Sequence, residues 1–235
     1  MKAQEFKCTM IKNEMVTPTV FELHFNTNSP LYFKAGQFMS IIIPGAGPGG
    51  RDLRRAYSIA SSPDSDHVEL CIKKVENGPG TSFLNQLKTG DQFTVFAPYG
   101  DFVYKTQPDR HVCFIATGTG LAPFRSMMES RHYQESAPLS ETCLFGVATE
   151  SEILYEKIFK NRPTLNWIPC ISRSSEQWGG YKGRITEYVK SNEMPFPWLE
   201  TEYYLCGNGE MIKQVREILS EKGVPKESIH QEKYY

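Results

Sequence analysis

The chain has 235 residues, enough for one large domain or two modest ones, and its 40% apolar and 23% charged content is ordinary for a globular protein. Its 26 basic and 27 acidic residues give a formal charge of −1, which argues against nucleic acid or an anionic membrane surface as a partner. The N-terminus lacks the apolar run of a signal peptide and no stretch is long enough to span a bilayer, so we predict a cytoplasmic protein without a membrane span.

Cysteine and histidine usage does not indicate a metal centre. The six cysteines lie far apart without a C-x-x-C pair, and we predict that most of them are small, buried, reduced hydrophobic residues. The five histidines fall at unrelated positions, and we interpret them as structural or surface residues. The sequence therefore predicts no metal site. The cysteines are Cys8, Cys71, Cys113, Cys143, Cys170 and Cys206, and the histidines are His24, His67, His111, His132 and His230.

Residues 1–104 have the pattern of an all-β domain. Short alternating or β-branched segments recur there, separated by Pro, Gly, Asn and Asp. At this spacing they predict a small six-stranded antiparallel barrel. The predicted strands are 6–11, 20–25, 38–43, 56–60, 68–75 and 92–97.

The run Arg55-Ala56-Tyr57-Ser58 places a cation, an aromatic ring and a hydroxyl within four residues. In a strand, Arg55 and Tyr57 point to one side and Ser58 to the other. A guanidinium binds phosphate oxygens through paired hydrogen bonds, and a tyrosine ring stacks on a planar heterocycle. The alternative is a strand with a surface arginine, a half-buried tyrosine and a Ser-Pro turn, and the run alone favours that alternative.

A Gly-rich turn at 78–82 leads into a predicted helix that has Thr81 or Ser82 at its N-terminus. Free N–H groups, hydroxyls and the positive end of the helix dipole favour a phosphate at such a position. A plain N-cap explains the turn equally well by itself. Arg55, a second anion-seeking feature in the same predicted barrel, favours the phosphate.

Residues 105–235 have a different pattern, in which strands alternate with helices. The apolar run at 112–116 is typical of a parallel strand covered on both faces. The alternation predicts a doubly wound parallel sheet, whose ligands bind at the carboxyl ends of the strands, where Thr117, Ser172 and Cys206 fall. The other predicted strands are 144–147, 165–171 and 203–206. One predicted helix follows the first strand and ends near 133, and three more cover 151–160, 185–190 and 209–222.

Gly118 and Gly120 follow the first of these strands, but Pro123 replaces the third glycine of a dinucleotide-binding fingerprint. The turn still allows a pyrophosphate to approach the backbone closely at a helix start, and Pro123 suits the first turn of that helix. A turn that only packs strand against helix is an equal alternative.

A set of motifs spread over nearly the whole chain keeps the order found in one protein family. The motifs are Arg55-Ala56-Tyr57-Ser58, Gly80-Thr81-Ser82, Gly118-Thr119-Gly120-Leu121-Ala122-Pro123-Phe124-Arg125, Gly146-Val147 with Leu154-Tyr155, Ser172-Arg173, and Cys206-Gly207-Asn208-Gly209-Glu210-Met211. In this order they resemble the ferredoxin-NADP reductase family. The resemblance implies an FAD-binding β-barrel, a following α/β domain that binds NADP(H), and hydride transfer between nicotinamide and flavin. The flavin then supplies the redox chemistry, which needs no strong acid or nucleophile from the protein.

For the flavin, the resemblance implies that Arg55 binds the FAD pyrophosphate, Tyr57 stacks on the isoalloxazine and Ser58 lies near its reactive nitrogen. It also implies that backbone atoms of one strand line the flavin and that the Gly-rich turn binds the pyrophosphate. The strand residues are Ile72, Lys73 and Val75, the turn residues are Gly80, Thr81 and Ser82, and Ala56 belongs to the motif of Arg55.

For the nicotinamide, the resemblance implies that Thr117 and Cys206 flank the ring. The alternative for Cys206 is a buried thiol at a strand end. The other nucleotide-binding residues implied by these motifs are Gly118, Thr119, Gly120, Gly207 and Met211.

The end of the chain is either a frayed tail or an edge strand. Many family members end on an aromatic ring that covers the flavin, and Tyr235 matches that ring. The spacing from Glu232 leaves Tyr234 as an alternative. By resemblance, Ser58, Cys206 and Tyr235 are the predicted catalytic residues.

Basic residues after the strand at 165–171 favour NADP(H) over NAD(H). A 2′-phosphate needs arginines at a strand end, where NAD sites commonly place an acidic residue. Ser172 with Arg173 and Lys182 with Arg184 match family positions, whereas Ala148 stands where many bacterial members have a third arginine. A solvated basic loop is the alternative.

The leading hypothesis is a monomeric NADPH-dependent flavoprotein reductase that passes electrons singly to ferredoxin or flavodoxin. One alternative is an NADH-using reductase component of an oxygenase, but such components often carry an iron-sulfur domain for which this chain has neither the cysteines nor the length. Another is a flavin-free binding module of the same fold. An acidic carrier is expected to meet a basic rim formed by Arg51, Arg54, Arg55, Lys73 and Lys74.

Overall fold

The computed structural model describes residues 2–105, 108–191 and 194–234. The chain divides into two compact units. The first comprises the residues up to Tyr104 together with Ala122–Gln134, and the second comprises Lys105–Leu121 together with the residues from Glu135 onwards. Within the described ranges, no helix is long and apolar enough to cross a membrane.

The strands of the first unit are β1 (Gln4–Met15), β2 (Val20–Thr27), β3 (Phe38–Ile43), β4 (Leu53–Ser58), β5 (Val68–Lys73) and β6 (Gln92–Tyr99). They form an antiparallel sheet in the order β4-β3-β6-β1-β2-β5. An antiparallel bridge between Ile59 and Leu70 connects the ends of the sheet beside β4 and β5. The sheet therefore curls round into a barrel.

Alternation along the strands places the barrel core. In β3, Met39, Ile41 and Ile43 are at most 1% exposed, and the residues between them are only half-buried. They join one apolar cluster that also includes Phe25 and Val95. The helices of this unit are α1 (Pro79–Gln86), between β5 and β6 in the chain, and α2 (Ala122–Glu129) and α3 (Arg131–Glu135), which come later. The Ser126 hydroxyl ties α2 to the barrel by donating to the Ser61 carbonyl at 2.7 Å.

The strands of the second unit are β7 (His111–Thr117), β8 (Ser140–Val147), β9 (Leu165–Ile171), β10 (Tyr181–Lys182), β11 (Thr201–Asn208) and β12 (Ile229–Tyr234). All neighbouring pairs are parallel, in the order β10-β9-β8-β7-β11-β12. The chain moves outwards from β7 to β10 and then returns to the other side of β7. The topological switch point, where such sheets bind ligands, therefore lies between β7 and β11.

The helices of the second unit are α4 (Glu156–Lys160), α5 (Ile185–Lys190) and α6 (Gly209–Glu221). The residues of β7 from Val112 to Ala116 are all buried, as expected for a parallel strand covered on both faces. The apolar face of α6 is buried as well, through Met211, Ile212, Val215 and Leu219. The predicted fold class, a β-barrel followed by a doubly wound parallel sheet, is confirmed.

Two short elements differ from the sequence-based expectation, and the structure decides between the two alternatives for the tail. The helix predicted at 151–160 begins only at Glu156, because Tyr155 has a left-handed backbone with φ of 54°. The strand β10 was not predicted, because a strand of two residues is too short to show a pattern of alternating apolar and polar residues. Of the two alternatives for the tail, the structure shows an edge strand, β12, paired in parallel with β11 up to Tyr234. Tyr235 lies outside the described residues.

The six cysteines are all reduced and buried, as predicted. Burial raises the pKa of Cys8 and of Cys170 to about 12. These thiols therefore stay neutral at physiological pH and act as small core residues.

Candidate functional site

In the first unit, Arg55 and Tyr57 lie on the same face of β4, as the alternation predicts. The first turn of α1 packs against this face at Gly80. A Cβ built on Gly80 would lie 3.1 Å from Arg55 Cγ and 3.4 Å from the Tyr57 hydroxyl. The absence of a side chain at Gly80 thus brings the helix backbone close to both residues.

The N-terminus of α1 and the Arg55 guanidinium together form an anion-binding environment. Gly78 caps the helix without a side-chain hydrogen bond, and Pro79 occupies the first turn. The Arg55 guanidinium donates to the carbonyl of Arg54 at 3.0 Å, and no carboxylate pairs with it in the part of the chain that the structure describes. A pyrophosphate fits here, because it would accept hydrogen bonds from the helix N–H groups and neutralise the guanidinium.

The helix begins earlier than the sequence indicated, so neither Thr81 nor Ser82 is its N-cap. Thr81 is buried in the first turn, where its hydroxyl contacts the backbone N and O of Val75, both at 3.2 Å, and the carbonyl of Gly78 at 3.3 Å. Its role is to hold the turn between β5 and α1 in shape. Ser82 is exposed, so its hydroxyl is the one available to a ligand.

Tyr57 is half-buried and packs against the barrel core, while Ser58 is only 5% exposed. Burial raises the pKa of Tyr57 to about 12 against the opposing effect of Arg55, so its hydroxyl is neutral at physiological pH. Ala56 is exposed on the opposite side of β4. The first unit thus offers a partly covered aromatic ring beside a cation.

The three predicted flavin-lining residues at the end of β5 differ in burial. Ile72 is 1% exposed and belongs to the core, whereas Lys73 and Val75 are exposed. Val75 lies beyond the strand, which ends at Lys73. That the backbone of this segment lines the flavin stays a prediction.

In the second unit, the switch point brings Thr117 against the end of β11. The Thr117 hydroxyl accepts a hydrogen bond from the Asn208 N–H at 2.9 Å. A Cβ on Gly207 would lie 2.4 Å from Thr117 Oγ1, and one on Gly120 would lie 2.4 Å from the Cys206 carbonyl oxygen. Two of the predicted glycines therefore permit the close approach of the turn after β7 to β11.

The other residues of these motifs differ in accessibility. Gly118 has φ of 53° and nothing within 4 Å of an added Cβ, and Thr119 is half-buried, so this turn leaves room for a ligand. Met211 is 8% exposed and belongs to the core. The Asn208 side chain caps α6 by accepting from the N–H groups of Glu210 and Met211 at 2.9 and 3.2 Å.

Cys206 is fully buried in β11. Burial raises its pKa well above the ordinary value and the Glu232 carboxylate raises it further, while a hydrogen bond with Tyr234 opposes both effects. The thiol is therefore neutral, and Tyr234 lies against it.

The carboxyl end of β9 brings the predicted basic residues to one edge of the sheet. The N–H groups of Ser172 and Arg173 donate to the carbonyls of Val147 and Ala148 at 3.1 and 2.8 Å, which fixes the turn beside the end of β8. Both side chains are exposed. The position that many bacterial relatives fill with arginine, Ala148, is thus adjacent to Arg173.

The strand β10 aligns the second basic pair with this edge. Lys182 lies opposite Ile171, and the Gly183 N–H donates to the Ile171 carbonyl at 2.9 Å. Lys182 and Arg184 are exposed, and the Arg184 N–H is capped by the Glu187 carboxylate at 2.7 Å. Basic residues at the ends of two parallel strands therefore lie at one sheet edge, where Lys182 Nζ donates to the Glu176 carbonyl at 2.9 Å.

Sequence reasoning missed Glu150, which lies at the same edge. Its carboxylate accepts from the Ser175 N–H at 2.7 Å. Hydrogen bonds from its own N–H and from Ser175 lower its pKa, and Lys182 lowers it further, so it is ionised. Its position three residues after β8 was the available signal, because acidic residues at the carboxyl ends of such strands commonly bind a ribose hydroxyl.

Comparisons with known proteins agree with this geometry. A family model for an oxidoreductase FAD-binding domain matches residues 7–104, and one for an oxidoreductase NAD-binding domain matches residues 114–217. The chain is 30% identical over 250 residues to ferredoxin--NADP reductase B of Sorangium cellulosum, covering 100% of this chain and 99% of that relative. It is 31% identical to the phenol hydroxylase P5 protein of Acinetobacter pittii, covering 98% of this chain and 66% of that relative.

Among solved structures, the ferredoxin NADP+ reductase of Neisseria gonorrhoeae with bound FAD and NADP has the same fold. It matches with a TM-score of 0.86 at 22% identity, over 100% of both chains. A barrel with an FAD-binding domain match and a parallel sheet with an NAD-binding domain match define a flavoprotein oxidoreductase. This chain belongs to the ferredoxin-NADP reductase family, and its cofactors are FAD and a nicotinamide dinucleotide. The flavin-free alternative is therefore disfavoured.

Proposed function

We propose that the protein is an NADPH-dependent reductase that delivers electrons to a ferredoxin or a flavodoxin. The observation that carries this proposal is the set of exposed basic side chains at the carboxyl edge of β9 and β10: Arg173, Lys182 and Arg184. A 2′-phosphate distinguishes NADPH from NADH, and guanidinium groups at a strand end bind it through charge-assisted hydrogen bonds. The likeness to ferredoxin--NADP reductase B over both full lengths supports the same assignment.

For FAD, the proposed assignments follow the geometry of β4 and α1. Arg55 and the N–H groups at the start of α1 bind the pyrophosphate, with the exposed Ser82 hydroxyl beside them. Tyr57 stacks on the isoalloxazine and donates its neutral hydroxyl to a polar edge. Ser58 lies next along the strand, close to the reactive part of the flavin.

For the nicotinamide dinucleotide, the turn at Gly118 to Gly120 approaches the pyrophosphate, and Thr117 lies at the nicotinamide. The neutral Cys206 thiol supports that position from within the sheet rather than acting as a nucleophile or a base. Arg55, Tyr57 and Ser58 would hold FAD, whose chemistry there would be hydride uptake from NADPH and the release of single electrons. The residues of this chain bind, orient and shield, and none of those assigned here needs to change its charge during turnover.

The proposed electron acceptor is a small acidic carrier. Arg51, Arg54, Arg55, Lys73 and Lys74 are all exposed on the first unit. Because β4 and β5 run antiparallel from the Ile59–Leu70 bridge, Arg55 and Lys73 lie towards the same end of the barrel. This basic rim attracts negative charge locally although the whole chain is close to neutral.

A second candidate is an NADH-using reductase that serves an oxygenase. Two observations favour it: Ala148 offers no cation beside Arg173, and the ionised Glu150 lies at the edge where NAD sites place a carboxylate for the ribose. The likeness to the phenol hydroxylase P5 protein supports it as well, and this chain spans about two thirds of the length of that relative.

Nucleotide preference decides between the two candidates. If NADPH is the donor, Arg173→Ala lowers kcat/KM for NADPH by about 10-fold, the value of one exposed charge-assisted contact, and leaves kcat/KM for NADH nearly unchanged. Glu150→Gln raises kcat/KM for NADPH relative to NADH. Arg216→Ala, an exposed arginine of α6 away from this edge, is the matched control. An NADPH to NADH ratio that is the same in Arg173→Ala and Arg216→Ala would remove Arg173 from the site.

A further inference from the structure

Outside these sites, the β2–β5 pair of the first unit carries a cluster of ionisable side chains. His24 of β2 lies directly opposite Glu69 of β5 in the antiparallel register. Glu22 stands two residues before His24 on β2 and therefore on the same face, because side chains alternate along a strand. His67 stands two residues before Glu69, directly ahead of β5, and its ring stacks on His24 with 5.3 Å between the ring centroids. Four ionisable groups therefore gather on one face of two paired strands, and no step of the proposed electron transfer uses them.

Three atoms of this cluster have the spacing of metal ligands. His24 Nδ1 lies 3.2 Å from His67 Nε2, which lies 3.1 Å from Glu69 Oε1. The third side of the triangle, from His24 Nδ1 to Glu69 Oε1, is 3.7 Å. Two ligands bound at about 2.0–2.1 Å to a tetrahedral zinc ion are about 3.3 Å apart. The three atoms thus match one face of a zinc coordination tetrahedron.

The opposite nitrogens of both imidazoles face carboxylates. His67 Nδ1 lies 2.6 Å from Asp66 Oδ1, and His24 Nε2 lies 3.7 Å from Glu22 Oε2. A carboxylate behind a metal-bound histidine fixes the ring and raises its basicity, and this arrangement recurs in zinc sites. Each ring therefore presents one nitrogen towards the shared centre and the other towards an anchoring acid.

Glu69 is oriented in the same way from α2. Arg125 Nη1 lies 2.6 Å from Glu69 Oε2 and 3.3 Å from Glu22 Oε1, which leaves Glu69 Oε1 directed at the histidines. Glu129 contacts the same guanidinium through Arg125 Nε at 3.3 Å. The helix thus supplies a positively charged clamp for the carboxylate that would bind the ion.

The charge of the cluster also favours a divalent cation. The carboxylates of Glu22, Asp66 and Glu69 face the two rings. Glu129 shares the Arg125 guanidinium with Glu22 and Glu69, and Glu14 pairs with Lys12. With neutral imidazoles the cluster therefore keeps a net negative charge, which a divalent ion offsets. A proton on His67 would also bridge the His24 nitrogen and the Glu69 carboxylate, but it supplies only one positive charge. Protons therefore compete with the metal ion for this position.

We propose that His24, His67 and Glu69 bind a zinc ion, with water in the fourth position. Two imidazoles and a carboxylate are a zinc ligand set, and the side chains of His24 and His67, 16% and 28% exposed, leave the ion a path from solvent. Bound there, the ion connects β2 to the segment that enters β5 and stabilises that side of the barrel. A second group, Glu14 with Glu22 and His24, lies within reach of an ion on the other side of the His24 ring and is the alternative location.

The test is titration of Zn²⁺ into chelator-treated, FAD-loaded protein by isothermal calorimetry. The wild type is expected to bind one ion per chain, and His67→Gln to weaken binding by about 100-fold or more through loss of a ligand. Asp66→Asn is expected to weaken it by about 10- to 100-fold. Because the Asp66 side chain is 93% exposed, that variant folds normally and decides the question if His67→Gln does not fold.

Two matched variants separate this site from its alternatives. His132→Gln removes an exposed histidine of the same unit, and Glu14→Gln removes a ligand of the second group alone. Both are expected to bind Zn²⁺ like the wild type, and Zn²⁺ is expected to raise the thermal unfolding midpoint in both but not in His67→Gln. The proposal would be overturned if the wild type bound Zn²⁺ no more tightly than Asp66→Asn does. It would also be overturned if Glu14→Gln or His132→Gln lost as much Zn²⁺ affinity as Asp66→Asn.

Discussion

Arg54 and Arg55 are neighbours in β4 with different surroundings. The Arg54 guanidinium lies over the Phe96 ring, 4.2 Å from its centroid, whereas Arg55 packs beside Gly80 at the start of α1. Alternation along a strand is a local property, so the sequence was sufficient to predict that Arg55 and Tyr57 share one face. The two arginines therefore form a matched pair for testing the flavin site.

Arg55→Ala should weaken FAD binding by about 10- to 100-fold, because a hydrogen bond to a charged group contributes about 1.5–3 kcal/mol. Arg54→Ala should change it by about twofold or less, as most surface substitutions do. The FAD affinity of each variant is measured by titrating FAD into the apoprotein and following the quenching of FAD fluorescence. Equal losses in the two variants would show that Arg55 has no specific contact with the cofactor.

The contacts of other site residues could not be predicted from the sequence, because those contacts depend on the exact path of the chain. Thr81 was expected at a helix N-terminus, yet its hydroxyl holds the turn through Val75 and Gly78, since α1 begins two residues earlier at Pro79. Glu150 reaches Ser175 across 25 residues of sequence. No local pattern encodes a contact of that kind.

At the scale of elements, strands with a clear pattern were predicted best. The bounds of β3 and β9 agree with the predicted 38–43 and 165–171, and α5 agrees with 185–190. The strand β10 escaped prediction and the tail was left between two alternatives, because the stability of β10 and β12 comes from pairing with β9 and β11 rather than from alternation of their own residues. Tertiary pairing, not propensity, decides such short edge elements.

Two glycines near the junction of β7 and β11 have different surroundings. Gly207 has φ of 121°, and a Cβ there would lie 2.4 Å from Thr117 Oγ1 and 2.7 Å from the Thr117 carbonyl oxygen. Gly118 has φ of 53° with open space around it. Gly207 therefore combines backbone strain with a steric clash, whereas Gly118 carries backbone strain alone.

Gly207→Ala should lower the free energy of unfolding by about 3 kcal/mol or more, because strain and the clash with Thr117 add. Gly118→Ala should lower it by about 1–2 kcal/mol, the cost of a left-handed alanine. Urea denaturation of both variants measures the difference. A Gly207→Ala protein as stable as Gly118→Ala would mean that β7 and β11 do not approach as closely as described.

At the scale of the whole molecule, the sequence predicted both sheets but not which distant side chains meet. His24 and His67 are 43 residues apart and were interpreted separately, yet the register of β2 and β5 places their rings 5.3 Å apart. Strand register depends on the complete hydrophobic pattern and on turn geometry. A cluster formed across two strands is therefore visible only once the pairing is known.

The basic rim predicts a salt-dependent encounter with the acidic carrier. Electrostatic steering is screened within about 8–10 Å at physiological ionic strength, so the second-order rate of ferredoxin or flavodoxin reduction should fall as NaCl is added. Stopped-flow measurement with an uncharged quinone as acceptor is the control, and its rate should stay constant. Lys74→Gln should flatten the salt dependence for the protein carrier. If the rate of reduction of the protein carrier did not change with NaCl concentration, the basic rim would be excluded as the steering surface.

Anaerobic titration of the purified protein with NADPH and with NADH, while flavin absorbance is recorded, tests whether the protein is an FAD-containing reductase that uses NADPH. About one equivalent of NADPH should bleach the flavin, because FAD takes up one hydride, and NADH should require a higher concentration to reach the same extent. A colourless protein without FAD, or bleaching by NADH at concentrations equal to or lower than those of NADPH, would contradict the account.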